Sequence, residues 1–164
     1  MQTETIERVT GDPSDDDYRR LLELRTGLRR FLRWSEQQAQ AAGLTPAQHQ
    51  LLLAIRGHPD ERGPTVGEVA AYLLLRHHSA VGLVDRAESA GLVAREPDVD
   101  NLSVVRLRLT EQGSAQLEAL SEQHLEELAH LAPTMHALWD ALEHGRDGAS
   151  GSTPHPAAPP LESS

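Results

Sequence analysis

The chain contains no cysteine and no lysine. The first absence excludes disulfides and any sensor built on thiol oxidation. The second makes every basic side chain an arginine, the better partner of the two for phosphate oxygens and guanine edges. No apolar run approaches the length needed to cross a bilayer, and the N-terminal MQTETIERVTGDP has no apolar signal region. A cytoplasmic protein with no membrane partner is therefore the expectation. Phosphate loop, dinucleotide fingerprint, nucleophile elbow and internal repeat are all missing from the sequence.

What is present is a 164-residue chain, the size of one domain with a core of its own. Its formal charge of −10 is unfavourable for binding an anionic partner, but the acid is unevenly placed. Residues 1–17 hold one Arg against six carboxylates and residues 111–164 one against nine. Residues 18–61 hold seven Arg against four carboxylates, and residues 62–110 hold six of each. The acid lies toward the ends, and the middle is neutral to basic.

That middle carries the clearest pattern. Thr65 with Glu68 forms a capping box, and Val66, Val69, Ala70 and Leu73 recur at helical spacing behind it. A second helix is predicted from about Arg76 to Ala90, with Ala80, Leu83, Val84 and Ala87 on its inner face and Gly91 as its stop. Its outer arc holds His78, Gly82, Asp85, Arg86 and Ser89, and its first turn offers Arg76, His77, His78 and Ser79. Leu92 to Arg95 and Val104 to Leu109 read as strands around the turn-forming Glu96–Asn101. Helix, helix and hairpin make a winged helix-turn-helix, in which the second helix meets the major groove of DNA.

Elsewhere the fold reads as mainly α. Ser14 before Asp15, Asp16 and Asp17 starts a helix that should run to about Ala42, stopped by Gly43. Leu21, Leu24, Leu28, Leu32, Ser35 and Ala39 share one face of it, and Phe31 and Trp34 make part of a second apolar face. Thr45–Pro46 opens another helix, ended by Gly57-His58-Pro59. Thr110 caps a long helix predicted to reach about Ala132, where Pro133 breaks it before a last short helix with Met135, Leu138, Trp139 and Leu142 on its face.

The run RHHSAVGLVDRAESAGLVARE, an aspartate-containing loop and then VRLRLTEQG resemble the MarR family of winged-helix transcriptional regulators. The densest part of the resemblance is VDR-x-E-x-x-GLV-x-R from Val84 to Arg95, with LT-x-x-G at Leu109 to Gly113. It implies an obligate dimer that binds a pseudo-palindromic site and is released by a small phenolic or lipophilic acid. The predicted domain plan is then a flexible acidic N-terminus at 1–13, a MarR-like winged-helix domain at 14–144, and a disordered tail at 145–164. Within the domain, 44–110 is the DNA-binding lobe, and 14–42 with 111–144 form a dimerisation region built from N- and C-terminal helices. Two recognition helices about one turn of DNA apart imply an inverted-repeat operator.

Candidate DNA contacts are Arg76, His77, His78, Ser79, Gly82 and Arg86, with Arg95, Arg106 and Arg108 available for phosphate. Gly82 fits close approach to the DNA backbone and fits helix crowding equally well. The wing residues Asp98, Asp100 and Asn101 depart from the family pattern, because Asn101, Leu102 and Ser103 follow Asp100 where one or two Arg are usual. The resemblance implies that Asp100 pairs with Arg86. His124, polar on an apolar stripe, is the candidate centre of an effector pocket walled by Phe31, Trp34 and His49. The nine histidines include no His-x-x-x-His pair, so no metal and no cofactor are expected. His77, His78, Ser79 and Asp85 lie on one helix, where neighbours diverge by about 100° each, so they do not form a catalytic group.

The leading reading is a dimeric, sequence-specific DNA-binding regulator, a repressor released by a small-molecule effector. The alternatives are a winged-helix protein-interaction module and a histidine-based metal-responsive regulator.

Overall fold

The computed structural model describes residues 12–147, with side chains as far as Asp140. Its order is α1 (Asp15–Ala41), α2 (Pro46–Arg56), α3 (Val66–Tyr72), α4 (His77–Ser89), β1 (Val93–Pro97), β2 (Val105–Leu109) and α5 (Glu111–Asp147). Each of the four predicted caps is in place. Ser14 and Asp17 bond reciprocally at the start of α1, and Thr45 and Thr65 close capping boxes with Gln48 and Glu68. Thr110 Oγ1 accepts the Gly113 N–H at the start of α5. Each such cap contributes about 1 kcal/mol. Gly43 (φ 79°) and Gly91 (φ 73°) take the left-handed conformation that ends α1 and α4.

Residues 28–130 form one compact unit, and the outer ends of α1 and α5 form a second. The core of the first unit joins Leu51 and Leu52 of α2, Val69 of α3, Leu83 and Val84 of α4, Leu107 of β2, and Leu117 and Leu120 of α5. Burial of each large apolar side chain contributes about 1.5–3 kcal/mol. This packing fixes the inner face of α4 and leaves the outer face to solvent. In the second unit α1 meets α5, with Met135 Sδ 3.8 Å from where a Cβ on Gly27 would stand.

β1 and β2 pair antiparallel, Val93 opposite Leu109 and Pro97 opposite Val105. β1 therefore runs two residues past the predicted strand, through Glu96 and Pro97. A two-stranded ribbon has an unpaired side on which a proline costs no ladder bond. The loop before α3 closes on β2, where the Leu107 N–H donates to the Pro64 carbonyl at 2.8 Å.

Pro133 does not break the long helix. It lies inside a continuous α5 that reaches Asp147. The lost N–H frees one carbonyl, that of Ala129, and both residues are exposed, so water can satisfy it. α5 also continues three residues into the stretch expected as tail. The rest of that stretch (148–164) and most of the expected loose N-terminus (1–11) lie outside the described residues.

Candidate functional site

Arg76 is the N-cap of α4, with no side-chain cap bond. Arg76, His77 and His78 are exposed, and among the described residues no hydrogen bond or ion pair engages their side chains. Ser79 is half-buried and Ala80 fully buried, so the first turn of α4 points its polar end outward from a fixed base. A Cβ on Gly82 would meet only the flexible end of Arg86, at 3.3 Å from Nη1. Crowding by a neighbouring helix therefore does not account for this glycine.

The other arginines of the lobe are engaged within the chain. Arg95 pairs with Asp85 at 2.6 Å and with Glu88, which ties β1 to α4. Arg106 Nε donates to Asp98 at 2.8 Å, its Nη1 donates to the Gly63 carbonyl, and Glu68 lies 3.6 Å away. Arg108 donates to the Glu61 carbonyl at 2.9 Å and lies 3.6 Å from Glu96. Asp100 pairs with Arg62 at 3.0 Å rather than with Arg86. The reason is local: Asp98, 3% exposed, accepts the N–H groups of Asp100 and Asn101 and so folds the wing tip back toward the loop that carries Arg62. The Asp100 N–H, then Arg106 and then the Asn101 N–H, hold the Asp98 carboxyl below the usual range. Hydrogen bonding to Arg62 likewise pulls Asp60 down to about 2. Asn101 accepts from Ser103, and Val99 and Leu102 stand exposed at the tip.

A second group of residues converges between α1, α2 and α5. The His124 ring lies 4.9 Å from Trp34, 4.8 Å from His49 and 6.1 Å, edge-on, from Phe31. His124 Nδ1 is 2.7 Å from the Leu120 carbonyl, which only accepts, so Nδ1 carries a proton. Nε2 lies 2.6 Å from the Ser35 hydroxyl. Burial, and next the charge of His124, lowers the pKa of His49. Ser35 and His124 have the pairing of a nucleophile and base, but Ser35 lies inside α1, where backbone N–H groups are consumed by the helix and cannot serve an oxyanion. Among the described residues no three or more His, Asp or Glu side chains are placed to hold a metal ion. No helix among them is long and apolar enough to cross a membrane.

Residues 42–101, from the end of α1 to the wing tip, match the model of the MarR family. A curated relative, the transcriptional activatory protein BadR of Rhodopseudomonas palustris, is 29% identical over 70% of this chain and 73% of its own. Over its DNA-binding lobe the chain is similar to the MarR family. The match and the relative are both to transcriptional regulators, which puts the likeness on the side of DNA-binding regulation. Among solved structures, the S. aureus MepR–DNA complex aligns with TM-score 0.59 at 15% identity, covering 83% of this chain and 94% of the other. CouR of Rhodococcus jostii bound to p-coumaroyl-CoA aligns with TM-score 0.60 at 21% identity, covering 83% and 96%. At these identities the likeness is one of fold, a mainly helical chain with a two-stranded wing.

Against this MarR frame, the predicted site residues divide into three groups. Arg76, His77, His78 and Arg86 stand open on α4. Arg95, Arg106, Arg108 and Asp98 are joined to one another or to acids nearby, and Asp100 is joined to Arg62. Phe31, Trp34, His49 and His124 form one cluster, although 75 residues separate His49 from His124. Two participants carry no role in the sequence reading. Arg62 lies in a plain polar loop, with no spacing to betray its three carboxylates. Ser35 does leave a trace, as a small polar residue on an apolar stripe.

Proposed function

We propose that the chain is a homodimeric, sequence-specific DNA-binding repressor whose exposed α4 turn reads an inverted-repeat operator and whose release follows binding of a small aromatic or lipophilic acid. The observation that carries the reading is the open N-terminal turn of α4. Of the six Arg in residues 62–110, Arg62, Arg95, Arg106 and Arg108 hold carboxylates. Arg76 and Arg86 remain, both exposed on the helix that the fold presents to a major groove. Dimerisation is supported by apolar side chains left exposed on the two long helices, Leu21, Leu22, Leu28 and Leu32 on α1 and Leu125 and Leu128 on α5. The Phe31, Trp34, His49 and His124 cluster is the effector site in this reading.

The test is fluorescence anisotropy on duplexes from the protein's own upstream region. Arg76→Ala is expected to weaken specific binding by about 1–3 kcal/mol, roughly 5- to 150-fold. No binding to any duplex at low salt would favour a protein-interaction module instead, a role that the wing tip with Val99 and Leu102 at 81% and 80% exposure also suits. BadR is named as an activator, so the sign of regulation has its own test. Deleting the gene should raise transcription of the target; a fall would make the protein an activator.

A further inference from the structure

α3 is joined to α4 through Leu73, Leu74 and Leu75, and the middle one is out of place. Among the described residues Leu74 is the one non-glycine residue with a positive φ, 53°, and its side chain is 92% exposed. The turn imposes this conformation. The Leu75 N–H donates to the Ala70 carbonyl at 2.9 Å and the Leu74 N–H to the Ala71 carbonyl at 3.3 Å, the two bonds that close a helix when the residue after its C-cap turns left-handed. Glycine takes that position without steric cost, whereas a Cβ crowds the following carbonyl oxygen. Leucine also lacks the local hydrogen bonding that lets asparagine sit there. An exposed leucine is ordinary in itself. One that is also held left-handed serves neither the backbone nor the core, and strain kept at such a residue points to a contact made outside the chain.

The neighbours of Leu74 indicate the contact. It stands two residues before Arg76, whose side chain, with those of His77 and His78, is exposed and unpaired among the described residues. Two residues span at most about 7 Å. One DNA-binding module covers about 600–1,000 Å² of its own surface, a disc of about 14–18 Å radius, so a duplex seated on Arg76 reaches over Leu74. In a major groove the apolar group on offer is the C5 methyl of thymine. The turn bonds, and Leu73 packed on the core, fix the backbone here, so little chain freedom is lost when the side chain is covered.

We propose that Leu74 is a specificity-determining residue of the DNA interface, packing on a thymine methyl at the edge of each half-site. The inference rests on reading the open turn of α4 as the DNA contact, and it adds a base preference that no charged side chain supplies. Leu74 lowers the stability of the free protein and raises affinity for the operator, so its substitution moves the two with opposite sign.

The test is anisotropy with the full chain on the upstream duplex that the wild type binds specifically, together with thermal unfolding. Leu74→Gly and Leu74→Asn, both compatible with a positive φ, are expected to keep or raise Tm. Both should weaken specific binding about fourfold for each half-site, the effect of one methylene-sized apolar contact. No phosphate is neutralised by this residue, so the loss should be the same at low and high salt, unlike that of Arg76→Ala. Replacing thymines one at a time by uracil, which lacks only the methyl, should weaken wild-type binding by a similar factor at one position in each half-site. The Leu74→Gly variant should be indifferent to that replacement. Unchanged affinity in both variants, or one uracil profile shared by wild type and variant, would overturn the proposal while the DNA reading of α4 stands. So would a Tm lowered by more than about 3 °C in Leu74→Gly, which would make Leu74 a folding residue. No specific binding by the wild type, or Arg76→Ala binding as tightly as the wild type, would remove that reading and the proposal with it.

Discussion

Asp98 shows how one side chain sets the shape of a wing. Its Oδ1 accepts two backbone N–H groups, from Asp100 at 2.9 Å and Asn101 at 3.2 Å, and its Oδ2 receives Arg106 at 2.8 Å and Arg62 at 3.3 Å. Asp98→Asn keeps the size but turns an NH2 group toward donors. It is expected to lower Tm by roughly 5–10 °C and to speed amide exchange at Asp100 and Asn101. No local motif announces this: the sequence places Asp98 at a turn, but the arginine that completes its coordination lies 36 residues upstream. His49 makes a different prediction. Its folded pKa is lowered, so as pH drops below the ordinary histidine value of 6.5 the unfolded chain binds a proton that the native state refuses. Stability is therefore expected to be full above about pH 6.5 and to fall as the solution is acidified toward the depressed value. Chemical denaturation between pH 7.5 and 5.5 would show it, and His49→Gln should flatten that part of the profile.

At the scale of elements, the helices are the most legible parts of the chain because two independent signals agree on every one but α4, whose start has no side-chain cap. A cap marks the start, and a 3.6-residue apolar period marks the buried face. Where one local rule stood alone it misled. Pro133 predicts a break, yet the neighbouring turns of α5 continue the helix, and the rule accounts for one missing hydrogen bond at an exposed position rather than for the fate of 37 residues. Contacts between elements leave the weakest trace. Gly63 is the clearest case: it reads as ordinary loop, but it sits at φ 83° and a Cβ there would run into the Leu107 carbonyl. That close approach lets β2 dock on the loop before α3 and so orients the helix-turn-helix against the wing. Gly63→Ala is expected to cost about 3 kcal/mol or more in chemical denaturation, through left-handed strain plus displacement of β2. A change below about 1 kcal/mol would mean that the loop relaxes freely and the wing is not held by it.

For the whole molecule, the question is how a chain of formal charge −10 holds a polyanion. Counterion release gives a slope of log affinity against log salt of about −0.9 for each phosphate neutralised. Were all six lobe arginines free, a dimer would neutralise about twelve phosphates and lose affinity steeply with salt. Four of the six are instead committed to carboxylates, in pairs that also hold the wing to α3, α4 and the loop between α2 and α3. In the proposed dimer that leaves Arg76 and Arg86 on each protomer, about four contacts in all and an expected slope near −4. Affinity measured from 50 to 300 mM salt is therefore expected to fall gently, and Arg76→Ala should reduce the slope by about 2 per dimer. A wild-type slope steeper than about −8 would mean that DNA draws Arg95, Arg106 and Arg108 away from their acids. The wing would then rearrange on binding, and specificity would rest on breaking these ion pairs as much as on the open turn of α4.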